Sequence, residues 1–183
     1  MALSYVTVRQ GDKYGPEYTE ALKAQIPGLV CLGDDRPLQS DLKGWHAKLE
    51  LFAPWNRDLR PLLFFDLDTY VVGDLSPFDK IDHSLFWMIN DFNVPRRGES
   101  GLLLVPDAAI SSLIWVGREN MKSTDGAYLR NFPHNRLNEV PGIVSYKNHC
   151  RNGIPAGARI ICFHGQPKPA NVEGWAGDYW NEL

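Results

Sequence analysis

The most restrictive feature of this chain is a set of continuous apolar runs too short to be helices. Residues 62–65 (LLFF) and 101–105 (GLLLV) read this way, as does the 84–89 run (SLFWMI), and each ends in polar or turn-forming residues. Uninterrupted rather than alternating apolarity suits strands covered on both faces, which is the signature of an α/β sheet. Residues 5–9 add a β-branched strand pattern, residues 28–32 another apolar run closed by Gly33, Asp34, Asp35 and Pro37, and residues 159–163 a last strand. Helical spacing lies between them. Pro16 occupies a first helical position, with Ala21, Leu22 and Ile26 on one face, and residues 45–52, 107–121 and 125–132 also carry helix-like spacing.

Composition limits what such a sheet can serve. At 183 residues, 44% of them hydrophobic, the chain matches a single domain spanning residues 1–183. Nineteen Lys and Arg against 22 Asp and Glu give a net charge of −3 without like-charge blocks, which argues against nucleic acid or an anionic membrane as partner. Cys31, Cys150 and Cys162 form no CxxC spacing, so neither a disulfide framework nor a zinc knuckle is expected. The opening residues lack a signal-peptide pattern, and no stretch reaches the ~18 apolar residues of a transmembrane segment. A cytoplasmic, reducing location is the expectation.

The run 62–65 stops at two carboxylates, Asp66 and Asp68, with Leu67 between them. In extended chain the two acids share a face and Leu67 points the other way. Their repulsion admits two readings: a polar turn in water, or a hard divalent cation between them. The carboxyl end of a strand is where open α/β sheets place ligands. A second element, "FHGQPKP" at residues 163–169, puts His164, Gly165 and Lys168 after another strand. Imidazole suits a metal, glycine permits close backbone approach, and an ammonium suits phosphate.

Together, "FFDLDTYVVGDL" and "FHGQPKP" resemble the retaining glycosyltransferases of family eight, the glycogenin-like and galactosyltransferase-like enzymes. The resemblance implies a GT-A-like, Rossmann-like domain whose mixed, mostly parallel central sheet is flanked by helices. It implies Mn²⁺ (or Mg²⁺) bound by Asp66, Asp68 and His164, and a UDP-sugar donor whose diphosphate meets Lys168. "VTVRQGDKY" parallels the family strand whose tyrosine stacks on uracil, which carries Val8, Asp12 and Tyr14 into the nucleotide site, with Gly11 in place of an asparagine. Lys48 matches a lysine that approaches the nucleotide-sugar, and Asp66, Ser100, Gly101 and Gly165 complete the implied donor site. Transfer of a hexose with retention would follow, to an acceptor that could be a glycan, lipid, protein or small molecule.

Asp125 is the carboxylate expected nearest the anomeric carbon, with Asp91 behind it; the alternative is that Asp125 caps the helix of residues 126–132. Glu99 and Gly126 depart from the family, which has asparagine and glutamine there. A nucleotide-sugar-binding or glycan-binding protein of the same fold therefore stays open as a second reading. A third is a haloacid-dehalogenase-type phosphatase, which shares an apolar strand followed by Asp-x-Asp. Trp175 and Trp180 could form an acceptor platform, but closing a core is the expectation.

Overall fold

The computed structural model describes residues 2–183. β1 (Ser4–Val8) leads into α1 (Pro16–Gln25), where Pro16 starts the helix with no N–H to leave unpaired. β2 (Val30–Leu32) lies parallel to one side of β1, and β3 (Leu62–Phe65) parallel to the other. β4 (Thr69–Val71) leaves this sheet. β5 (Trp87–Asn90) and β6 (Gly98–Val105) return to it as an antiparallel pair, β6 running antiparallel to β3.

α2 (Ala109–Gly117) and α3 (Asp125–Leu129) follow, then β7 (Asn135–Arg136) on the β5 edge. β8 (Ile143–Ser145), α4 (Tyr146–His149), β9 (Ile160–Cys162) and α5 (Trp175–Glu182) complete the chain. The main sheet has the order β2-β1-β3-β6-β5-β7, and a second sheet the order β4-β9-β8. Three of the five main-sheet pairings are parallel, as expected of a mixed, mostly parallel sheet.

The short apolar runs are continuous because both faces of the main sheet are covered. Leu62, Phe64, Leu103 and Val105 pack on one side with Leu49, Phe52 and Ile114. Leu63, Phe65, Leu102 and Leu104 pack on the other with Leu22, Ile26 and Ile160. Among the described residues no helix is long and apolar enough to cross a membrane.

One local reading needs correction, and two other parts of the chain take forms that the periodicity does not specify. Residues 45–52 lie in a 3-10 helix, Gly44–Phe52, rather than an α-helix, so positions three apart share a face. The 84–89 strand begins only at Trp87, because Asp82 Oδ1 accepts from the Ser84 N–H at 2.8 Å and hydroxyl at 2.6 Å and holds the preceding residues in a turn. The second sheet was not legible as such, its strands being three residues each.

Glu50 explains how the 3-10 segment is fastened. Its fully buried carboxylate accepts from the Gln39 N–H at 3.1 Å, the Ser40 N–H and the Trp55 indole at 2.7 Å. Glu50→Ala would strand these donors at a cost of about 3 kcal/mol. Urea denaturation should show a lower midpoint with an unchanged m-value.

Candidate active site

The D-L-D step is where the chain crosses from one sheet to the other. The Asp66 N–H donates to the Gly101 carbonyl of β6 at 2.9 Å, and the Asp68 carbonyl accepts from the Phe163 N–H, just past β9, at 3.1 Å. Leu67, 5% exposed, packs in the core between the sheets. Both carboxylates are thereby left at the seam.

Lysines answer their charge. Lys48 Nζ lies 2.8 Å from Asp66 Oδ1 and 3.1 Å from Asp125 Oδ2, and donates to the Ser100 carbonyl at 3.0 Å. The Ser100 hydroxyl donates to Asp125 Oδ2 at 2.6 Å. Lys168 pairs with Asp68, which also accepts from the Tyr14 phenol at 3.0 Å.

Burial raises the Asp66 pKa, and Asp68 and Asp125 add repulsion that Lys48 does not fully offset. For Asp125 the balance reverses: burial works against ionisation, but Lys48 and the Ser100 hydrogen bond hold the carboxyl below its ordinary value. Burial, reinforced by Lys147, lowers the His164 pKa and favours the neutral imidazole.

Two cavities, of about 390 and 400 Å³, flank this cluster and share Lys13, Tyr14, Asp66 and Ser100. The first is also lined by Asp68, Asp91, Gly101, His164, Gly165 and Lys168. The second is also lined by Val8, Asp12, Lys48 and Asp125. Every residue assigned from the sequence to the donor, metal or catalytic sets lines one cavity or the other.

The three metal-ligand candidates share the first cavity but do not converge. His164 Nε2 and Ser145 Oγ are 2.6 Å apart in a hydrogen bond, the imidazole stacks on Phe92, and Lys168 sits against Asp68. Among the described residues no group of three His, Cys, Asp or Glu side chains is close enough to hold a metal ion.

The chemistry of the donor set nevertheless fits a divalent ion. Asp12, Asp66, Asp68, Asp91, Glu99 and Asp125 line the two cavities against only Lys13, Lys48, Arg97 and Lys168. An anionic ligand entering this surplus of carboxylates needs added positive charge.

Other expectations resolve individually. Thr124, not Asp125, caps α3, its hydroxyl accepting from the Ala127 N–H at 3.3 Å, which leaves Asp125 turned inward. Asp91 organises the rim, accepting from the Asn93 and Val94 N–H groups at 2.7 and 3.0 Å and pairing with Arg97. Trp180 lies 4.8 Å from Tyr18, and the Trp175 indole donates to the Cys150 carbonyl at 2.7 Å; neither lines the two cavities, and both close a core.

Lys13 and Trp45 were missed. Lys13 sits within "GDKY", its ammonium 4.8 Å above the Tyr14 ring. Trp45, 60% exposed, shares the second cavity with Lys48 because a 3-10 helix repeats every three residues.

No protein-family model and no curated protein matches the sequence. Solved structures do match. An active-site mutant of LgtC superposes with a TM-score of 0.65 at 13% identity, over 98% of this chain and 94% of that one. The glycosyltransferase GlyE of Streptococcus pneumoniae TIGR4 gives 0.63 at 15% identity, over 98% of this chain and 60% of its own. The bifunctional glycosyltransferase WbbM gives 0.63 at 11% identity, over 97% of this chain and 49% of its own. The fold is that of the GT-A glycosyltransferases.

Lys48→Met should expose how much the cluster depends on one ammonium. Removing it leaves Asp66 and Asp125 facing each other in a largely buried site, at a cost of about 3–5 kcal/mol near neutral pH. Both folded-state carboxyl pKa values would then stand above their unfolded values. Stability of the variant should therefore recover on acidification and fall as pH rises through those values, readable by thermal unfolding across pH 4–8, on the order of the usual working range.

Proposed function

We propose that the protein is a metal-dependent hexosyltransferase that takes its sugar from a UDP-sugar, with retention of configuration, as in family eight. The observation that carries this reading is the seam itself. On a glycosyltransferase fold, the crossing between sheets brings Asp66, Asp68, Lys48 and Lys168 to the junction of two cavities.

The second cavity, with Val8, Asp12 and Tyr14, would take the nucleoside, and the first the transferred sugar and its acceptor. Asp66, Asp68 and His164 would hold Mn²⁺ or Mg²⁺, which when bound would supply Lewis-acid stabilisation of the leaving diphosphate. Lys168 would place a fixed ammonium beside the same phosphates. Lys48 keeps Asp125 ionised and Ser100, which lines both cavities, fixes its orientation, so at the junction of the two a carboxylate would stand beside the positive charge that develops on the anomeric carbon. Asp91 would support the rim from which the acceptor approaches. No membrane-crossing helix is found among the described residues, and a cytoplasmic location is part of the proposal.

UDP release from a panel of UDP-hexoses with Mn²⁺ tests the reading. Asp68→Ala and Lys168→Ala should each lower the rate by a factor of about 10²–10³. Release of inorganic phosphate in place of UDP would sink the proposal, as would a rate indifferent to both substitutions. Tight UDP binding without turnover would reassign the protein as a binding module.

A further inference from the structure

Glu99 and Gly126, two of the departures from the resembled family, lie against each other. A Cβ built on Gly126 would lie 3.2 Å from Glu99 Oε2, 3.4 Å from Ser100 Oγ and 3.8 Å from Arg130 Nη1. The glycine leaves the room that the glutamate carboxylate takes up. Two substitutions that look independent in the sequence are one steric change.

The carboxylate is anchored through a single oxygen. Arg97 Nε lies 2.9 Å and Arg130 Nη1 3.4 Å from Oε1, and Arg130 is itself fixed by donating to the Gly98 carbonyl at 2.9 Å. Arg97 is further shared with Asp91. Among the described residues no donor hydrogen-bonds Oε2. Glu99 lines the first cavity beside Ser100 and Gly101, with 37% of its side chain exposed.

A carboxylate oxygen with open lone pairs accepts hydrogen bonds from hydroxyl groups and repels a second carboxylate. Arg97 divides its charge between Asp91 and Glu99 and Arg130 is paired with Glu99, so the two guanidiniums are matched by two carboxylates and offer an incoming anion no net positive charge. We infer that Glu99 selects the transferred sugar: it accepts from a ring hydroxyl of a neutral hexose and turns away a uronic acid. This rests on the nucleotide-sugar reading of the site. Gly126 is the positioning residue that keeps the carboxylate in place.

Calorimetric binding of UDP, UDP-glucose, UDP-galactose and UDP-glucuronate, in the presence of Mn²⁺, tests the inference without requiring turnover. The wild type should bind a neutral hexose donor more tightly than the glucuronate. Glu99→Gln should narrow that preference by about tenfold while leaving UDP affinity within twofold, since only the like-charge repulsion is removed. Gly126→Ala, whose methyl crowds Oε2, should narrow it in the same direction with UDP affinity again unchanged.

An unchanged hexose-to-glucuronate ratio in both variants, with UDP still bound, would overturn the inference alone. Failure of the wild type to bind UDP would overturn the nucleotide-sugar reading and the inference with it. A loss of UDP affinity in Glu99→Gln equal to its loss of hexose affinity would show a structural role and also overturn the assignment.

Discussion

The site depends on a two-ended backbone constraint across three residues. The N–H of Asp66 is committed to the main sheet through Gly101, and the carbonyl of Asp68 to the second sheet through Phe163. With both ends fixed, Leu67 has one place to go, into the core, and the flanking carboxylates have no freedom to separate. Everything charged nearby is arranged around that fact. Lys48 reaches Asp66 from the 3-10 segment, Lys168 reaches Asp68 from beyond β9, and Tyr14 donates to Asp68 from the loop after β1. Segments distant in sequence are bound to one another through two aspartates.

This arrangement stores an electrostatic cost. Three carboxylates, Asp66, Asp68 and Asp125, are crowded with two ammonium groups, and the deficit falls on Asp66, whose pKa rises, while Asp125 stays low. Lys48 lowers both carboxyls, but burial and the neighbouring carboxylates outweigh it at Asp66 and not at Asp125, so the two come to lie on opposite sides of the ordinary value. The ammonium of Lys168 against Asp68 fits the same picture, because positive charge is favourable at that point whatever group supplies it. A long, flexible side chain is the group that can yield the position at the least cost.

Legibility followed length and chemistry. Residues 62–65 and 101–105 announced their strands because burial on both faces leaves an unmistakable apolar run. The three-residue strands β4 and β8 carry too few positions for any period, so the second sheet emerges only when β9 pairs between them. The paired aspartates and the His164–Lys168 element stood out in the sequence only in combination, since the acid pair alone reads equally well as a polar turn in water. Their detailed pairing did not stand out. Nothing in the sequence says that His164 turns to Ser145 or that Lys168 lies on Asp68, since both are outcomes of side-chain geometry. The capping of α3 could have gone to Asp125 on residue preference alone, and Thr124 took it because Lys48 and Ser100 claim the aspartate.

Tyr14 is common to the two cavities. Its ring meets Tyr18 edge-on at 4.8 Å, and its hydroxyl donates to Asp68. Burial, and then the charge of Asp68, push the phenol pKa upward, so the group remains a proton donor and never a competing anion. Tyr14 thus joins the lining of the second cavity to the Asp68 carboxylate of the first. The tie from Tyr14 through Asp68 to Lys168 is a continuous chain of charged and polar contacts. Asp68 is the shared partner of the phenol and the ammonium, so displacing Lys168 from it would change the charge that the phenol meets.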